Sequence, residues 1–427
     1  MPWLRLAALI LLLAGCVAPA NTSPSPPPAQ GLAIHAVAAL TNVGSHSAEP
    51  SVAVRGNHVV VANIEYGRGE ASSQTVFDVV VHATDDGIQW TTAALPAAVT
   101  APFDPAGHDI YHGDSVLAYA PDGTLWLAAV AAQGAWRDGT AAALADPVTF
   151  VTRSSDGGAT WSPAVAWFPS AGAVAGAAGA ALPVGTVNDK PWVAVAPDGV
   201  AHLCWAFFAE ATPALLCAHS PDWRPVLVAA ALPGRILQGT TLVAPAKGTL
   251  FLAASDTVLA GPDAPDLQRV WASQDGGATF TERASPGPAI LGSYGTLVGT
   301  PREPDHLWYL GTQGDEQAYI AQSTDGAAHW SAPTPLRPAP GPQRQPAGWL
   351  DDGGRLHIVL YDTDAAGERM TLGIWKDGTF EAVAGNRTDP GPYRRDYLGI
   401  SGAGDTSWAA WVAGDVERTW IAVARSS

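Results

Sequence analysis

SSDGGATW, running from Ser154 to Trp161, returns along this chain in altered copies. They are SQDGGATF from Ser273 to Phe280, STDGAAHW from Ser323 to Trp330 and ATDDGIQW from Ala83 to Trp90, with fainter echoes at Ser220–Trp223 and Lys376–Phe380. In each strong copy an aspartate is followed by Gly or Ala and then by Trp or Phe. This is the chemistry of a tight turn between strands. The Asp carboxylate accepts hydrogen bonds from nearby amides, Gly adopts the positive φ that the turn demands, and the aromatic ring returns to cover apolar surface. Asp86, Asp156, Asp275 and Asp325 therefore read as turn-forming residues.

A second repeated element accompanies these turns: an apolar strand, a turn often written Pro-Asp-Gly, and another apolar strand. It is clearest in SVAVRGNHVVVANI from Ser51, SVLAYAPDGTLWLAAV from Ser115 and PWVAVAPDGVAHLCWAF from Pro191. Fainter versions start at Thr241, Thr296, Gly348 and Tyr397, which makes seven. Each copy supplies the inner two strands of a four-stranded blade, and the aspartate turn joins the outer two. The expected fold is an all-β propeller of seven blades, with six as the alternative, over residues 32–427. The last repeat has only three strands, ending in TWIAVARS from Thr419. The run LAIHAVAAL, Leu32–Leu40, is therefore expected to close the ring and remove the open sheet edge.

The pattern Ser-x-Asp-x-Gly-x-Thr-Trp resembles the Asp-box of BNR-repeat proteins, a family that includes sialidases and many secreted propellers. The segments NDKPWVAV, GWLDDGGRLHIVLYD and RRDYLGISGAGDTSWAAW also resemble recurrent segments of bacterial sialidase-like propellers. The resemblance covers most of the chain after Gly31 and implies that the Asp-box turns lie away from the substrate side. It implies fold more strongly than substrate. The family's enzymes have a six-bladed ring, three arginines clamping the sugar carboxylate, a Tyr nucleophile relieved of its proton by Glu, and an Asp acid/base. A count of seven departs from that pattern, and so does the absence of the family's aromatic-Arg-Ile-Pro signature; the nearest fragment is GRILQG, with Arg235.

Composition narrows the partners. The chain has 427 residues, 45 Gly, 36 Pro and 17 Trp, with 14% charged residues, which suits many short buried strands better than solvated helices. A net charge of −17 repels phosphate backbones and anionic headgroups, so no nucleic-acid partner is expected. Residues 1–15 read as a signal segment, with Arg5 before an apolar run too short to span a bilayer. Leu13-Ala14-Gly15-Cys16 resembles a bacterial lipobox, in which Cys16 is lipidated, and residues 16–31 form a Pro/Ser-rich tether. The expectation is a monomer, exported and lipid-anchored to the bacterial cell envelope outside the cytoplasm, that touches the membrane only through its anchor. Cys204 and Cys217 fall opposite one another if a hairpin turn is centred between Glu210 and Ala211, so a cross-strand disulfide and two buried thiols are both open.

Chemistry in a propeller gathers where the innermost strands begin and where second-to-third-strand loops project. Those positions hold Glu49, His112 with Asp114, Asn188 with Asp189 and Lys190, Gln238, Tyr294, Arg344 with Gln345, and Arg394, Arg395, Asp396 and Tyr397. The loops add Tyr66, Arg68 and Glu70, Asp362 with Arg369, and Asp415 with Arg418. The long connections Leu95–Asp114 and Phe168–Asp189 and the insertion Gln133–Asp146 are expected to form a rim beside the mouth that offers Trp136, Arg137 and Tyr111. Tyr397 and Asp114 are the candidate catalytic residues. No cofactor is required, although the acidic set Glu49, Asp114, Asp189 and Asp396, or the cluster His108, Asp109, His112 and Asp114, offers oxygen ligands of the kind calcium takes. The sequence supports a module binding a glycan or a protein, with a sialidase-type exo-glycosidase and an envelope scaffold as alternatives.

Overall fold

The computed structural model describes residues 34–40, 46–68, 74–105, 110–137, 140–169, 187–208, 213–258, 265–290, 294–314, 316–336, 341–364, 367–387, 397–414 and 419–426. The signal segment, Cys16 and the tether lie outside them. The ring has seven blades of four antiparallel strands, and no α-helix occurs among the described residues. Blade one runs from His46 to Ala94, blade two from Ile110 to Pro169, blade three from Val187 to Ala230 and blade four from Arg235 to Pro288. Blade five spans Thr296–Pro335, blade six Gln343–Arg387 and blade seven Gly399–Ser426, to which Ile34–Ala39 adds the outermost strand.

The closing strand pairs as its sequence position requires. Ile34 faces Ser426 and Ala39 faces Ala422 in antiparallel register, and the Leu40 N–H donates to the Ile421 carbonyl at 2.8 Å. A clasp beside it ties blade one to blade seven: the Ser47 N–H donates to Thr419 Oγ1 at 2.9 Å, and that hydroxyl donates to the Ser47 carbonyl at 3.0 Å. The first and last described strands thus share one sheet, and the edge of Thr419–Ser426 is paired.

Seven hydrophobic clusters hold the ring, one at each interface between neighbouring blades. The strands are buried on both faces, so they read as apolar runs instead of alternating. Trp205 lies between blades two and three, and Trp411 between blades six and seven; both are fully buried. On the axis, hydroxyls link adjacent inner strands: the Leu117 N–H donates to Ser51 Oγ at 3.0 Å and the Leu297 N–H to Thr241 Oγ1 at 3.2 Å. The Thr240 hydroxyl likewise donates to the Lys190 carbonyl. These bonds occupy amides that the exposed edge of each innermost strand would otherwise leave open.

The aspartate turns join third to fourth strands on the ring face opposite the start of the innermost strands. In blade two the Ser154 hydroxyl donates to Asp156 Oδ1 at 2.7 Å and accepts the Gly158 N–H at 2.8 Å, while the Thr160 N–H donates to the same carboxylate oxygen at 2.8 Å. Blade four repeats this with Ser273, Asp275, Gly277 and Thr279, and blade five with Ser323, Asp325, Ala327 and His329. Blade one runs a residue shorter: Thr84 replaces the serine, and Asp86 accepts from Ile88 and Gln89. These bonds pull Asp275 and Asp325 down to about 2, chiefly through the side chains of Thr279 and His329. Trp90, Trp161, Phe280 and Trp330 each pack into the cluster shared with the preceding blade. Ser154→Ala strands the buried Gly158 N–H, and the expected loss is about 1–3 kcal/mol in urea-midpoint measurements, with an unchanged fold by circular dichroism.

Blades three and six use other turns. Blade six has Asp377 and Gly378 at φ 50° and 80°, a two-residue hairpin, and blade three turns through a cis Ser220–Pro221 bond. The insertion Gln133–Asp146 corrects the expected rim loop. It prolongs the strands Leu125–Arg137 and Thr140–Ser154, and Gln74 and Thr75 of blade one pair with Arg137 and Trp136. This merges blades one and two into one eight-stranded sheet.

Candidate functional site

Five of the innermost strands begin with the same irregularity. Their register slips between Ala48 and Ser51, Gly113 and Val116, Asp189 and Trp192, Gln238 and Thr241, and Arg344 and Ala347. The residue inside the slip takes a left-handed φ: Glu49 at 53°, Asp114 at 50°, Lys190 at 48°, Gly239 at 67° and Gln345 at 50°. In blades five and seven, Tyr294 and Tyr397 stand two residues before the first paired positions, Thr296 and Gly399. A left-handed conformation at four non-glycine residues is a backbone cost concentrated in one layer, as at sites where side chains must be aimed.

The layer forms a neck around a buried lysine. Lys190 Nζ lies 2.6 Å from Asp114 Oδ1 and 3.4 Å from Glu49 Oε1, and sits 4.8 Å from the Tyr397 ring centre and 5.5 Å from that of Tyr294. The two tyrosine rings are 6.4 Å apart, and the Tyr294 N–H donates to Gln345 Oε1 at 3.2 Å. Gly239 completes the ring because Tyr294 fills its place: a Cβ there would stand 2.1 Å from Tyr294 Cδ1. Gln238, the residue expected at this position, precedes it in the strand.

Electrostatics fix the protonation of the neck. Burial opposes the Lys190 charge, but Asp114 and Glu49 outweigh it and hold the ammonium well above its ordinary range. Burial also opposes ionisation of Asp114, yet Lys190 and hydrogen bonding with Glu49 and Asp189 bring its carboxyl below the usual value. Tyr397 moves the other way. Burial raises its phenol well above 10, Lys190 pulls against that, and Asp114, Glu49 and Asp189 reinforce it. The phenol oxygen is buried without a hydrogen-bond partner among the described residues.

The other sequence-predicted residues stand apart from the neck. His112 hydrogen-bonds Asp78 at 3.1 Å between blades one and two. Arg344 pairs with Glu316, Asp362 with Arg369 at 3.3 Å, and Arg235 with Asp256 at 2.5 Å. Arg235, Arg344 and Arg369 are thus each engaged by a carboxylate outside the neck, and Arg269 shares Asp256 with Arg235 at 2.9 Å. Lys190 Nζ lies against Asp114 and Glu49, two of the carboxylates that offer oxygen of the kind calcium takes. Arg394, Arg395, Asp396, His108, Asp109, Glu70, Asp415 and Arg418 lie outside the described residues, and so do the side chains of Tyr66, Arg68, Tyr111, Trp136 and Arg137. Cys204 and Cys217 face each other across blade three and are joined by a disulfide, with Cα atoms 4.1 Å apart.

No family model matches the chain, and no curated protein matches it. Among solved structures, a protein of unknown function from Dyadobacter fermentans is similar with a TM-score of 0.53 at 14% identity, over 93% of this chain and 99% of that one. Trypanosoma rangeli sialidase gives 0.45 at 9% identity over 90% of this chain and 55% of its own. A mutant of NanB sialidase from Streptococcus pneumoniae gives 0.45 at 12% identity, over 96% and 72%. The chain spans about half the length of the trypanosomal enzyme. Sialidase propellers are thus among its structural neighbours at low identity, and the likeness concerns the fold alone.

Proposed function

We propose that this chain is a binding module, exported and tethered outside the cytoplasm, that engages a glycan or a protein segment at the neck end of its channel without turning it over. The observation that carries the reading is the state of Tyr397. A tyrosine nucleophile needs a base within hydrogen-bond reach to take its proton, whereas the buried Tyr397 hydroxyl has no hydrogen-bond partner among the described residues. The pairing of Arg235, Arg344 and Arg369 with Asp256, Glu316 and Asp362 supports the same reading, since a guanidinium already held by a carboxylate is not free to clamp that of a sugar. The disulfide in blade three supports export, because such bonds persist in oxidising compartments.

A fluorogenic α-sialoside and a glycan array, applied to the same preparation, test the reading. The expected result is retention on one glycan class or capture of one protein, with no release of fluorophore. Turnover that disappears in Tyr397→Phe would replace this reading with the exo-glycosidase. Co-purification of an envelope protein that persists in Asp189→Asn and Arg344→Ala would favour the scaffold.

A further inference from the structure

On the face of the aspartate turns, a groove of about 290 Å³ lies between blade seven and blade one. Blade one supplies Asn57 from its first hairpin turn and Asp85 and Asp86 from its aspartate turn, and blade seven supplies Thr406, Trp408 and Arg425. Local sequence explains why the groove is open. Between blades one and two the corresponding space is closed, because His58 stands opposite Arg55 at the head of its strand and its Nε2 lies 2.9 Å from the Gly157 carbonyl. Blade seven has Thr406 at that place, opposite Ala403, and the turn of blade one is a residue shorter: Gly87 makes the bond to Thr84 that Gly158 makes to Ser154, so Gly157 has no counterpart. Gly87 also seats the turn against blade seven, since a Cβ there would stand 2.5 Å from Trp408 Cη2.

The opposite charges that line this groove do not pair with each other. Arg425 is exposed, and among the described residues its guanidinium makes no ion pair or hydrogen bond; it lies over the Trp408 ring, 5.9 Å from the centre. Asp85 accepts from His58 through Oδ1 at 2.6 Å and is 84% exposed. Asp86 spends Oδ1 on the Thr84 hydroxyl and the Ile88 and Gln89 amides, and its Oδ2 has no partner among the described residues. In the other three aspartate turns that second oxygen is taken by Thr160, Thr279 or His329. The groove thus keeps donors on the blade-seven wall and acceptors on the blade-one wall. A cation would meet Arg425 and an anion would meet Asp85 and Asp86, whereas adjacent hydroxyls on a neutral molecule donate to the carboxylates and accept from the guanidinium. Asn57 and Thr406 extend the polar lining, and the volume, close to the lower end of small-molecule sites at about 300 Å³, suits one sugar ring.

We infer that this groove is a second binding site, apart from the neck end, that takes a neutral sugar by its adjacent hydroxyls. It does not depend on the ligand proposed for the neck. The test is saturation-transfer NMR and calorimetric titration of the full chain with galactose, mannose and N-acetylglucosamine, using glycine as the zwitterionic and sialic acid as the anionic comparison. Saturable binding of at least one neutral sugar is expected. Arg425→Met, which keeps the stem on Trp408 and removes the donors, should weaken it about tenfold, and so should Asp85→Asn, which trades an acceptor for a donor. Both positions are exposed, so the urea midpoints of the two variants should stay with that of the native chain. Absence of saturable binding by all three sugars would overturn the inference, as would binding of glycine or sialic acid in their place. Sugar binding that survives both substitutions would overturn it as well, and its loss in Asp189→Asn would then place the sugar at the neck.

Discussion

Lys190→Met should destabilise the ring by about 3–5 kcal/mol, the penalty for removing one partner of a buried ion pair. The side chain is 6% exposed and its ammonium faces Asp114, itself 9% exposed, and Glu49. Methionine fills the volume but leaves two carboxylates facing each other in a closed neck. The protein should respond by protonating one of them, so the loss is greatest at neutral pH and smaller in acid. Urea midpoints at pH 7 and pH 5 measure both effects. Adding Asp114→Asn and Glu49→Gln to Lys190→Met should recover much of the stability, because the uncompensated charges go with the ammonium. If Lys190→Met shifts the midpoint by less than about 1 kcal/mol, as a surface pair would, the neck is open to water and its description here is wrong.

Acid should weaken the protein well above the range where carboxylates titrate. Burial lowers His82 from 6.5 to about 4, and burial, aided by neighbouring His219, lowers His202 to about 4 against the pull of Asp198. Both histidines are therefore neutral in the folded ring, while the unfolded chain takes up a proton at each as pH drops below 6.5. The stability they contribute is complete above 6.5 and is lost as pH falls to about 4, on the order of 3 kcal/mol for each. His82 shows why it resists protonation. Its Nε2 lies 3.0 Å from Asn63 Oδ1 and its Nδ1 2.8 Å from Thr92 Oγ1, so a neutral ring donates to the amide oxygen and accepts from the hydroxyl. A second ring proton would place a full charge in this buried site. His202 and His219 stand opposite each other in blade three, 5.7 Å between ring centres. The two sites lie in different blades and should add. Unfolding followed by tryptophan emission at pH 7, 6, 5 and 4 checks the slope, and His82→Gln with His202→Gln should flatten it. A flat profile for the native chain across that range would show that the rings are hydrated.

The blades were legible because their turns are local. Ser154, Asp156 and Gly158 meet within five residues, so the spacing that makes the bonds is the spacing that repeats in the sequence. Blades three and six left weak marks for the same reason: a cis prolyl turn and an Asp377-Gly378 hairpin solve the same geometric problem with other residues. Chain closure was also foreseeable, since a last blade lacking one strand and an unassigned apolar run at the start can satisfy only each other. The insertion after Gln133 misled, because an alanine-rich stretch carries no strand signal until a neighbouring blade offers it an edge to pair with.

The site was half legible. That Glu49, Asp114, Lys190, Tyr294 and Tyr397 share one layer was readable because the position where each innermost strand begins can be counted along the repeats. Gly239 was passed over because a residue without a side chain advertises no chemistry, although its emptiness is what admits Tyr294. His112, Arg344 and Asp362 were grouped with the neck by their position along the repeats, while in the structure His112 bonds Asp78 of blade one, Arg344 pairs with Glu316 of blade five and Asp362 with Arg369 of its own blade.

Sequence by itself determined the repeat, the seven blades and the meeting of the two ends, because these follow from hydrogen bonds and apolar runs within about fifty residues of chain. Only the tertiary structure decided that Lys190 stands against Asp114 and Glu49 beneath the rings of Tyr294 and Tyr397. That arrangement belongs to several strands at once, and the groups that set it are up to 348 positions apart, as Glu49 and Tyr397 are. Their charge states arise from shared burial, which no single stretch of sequence contains.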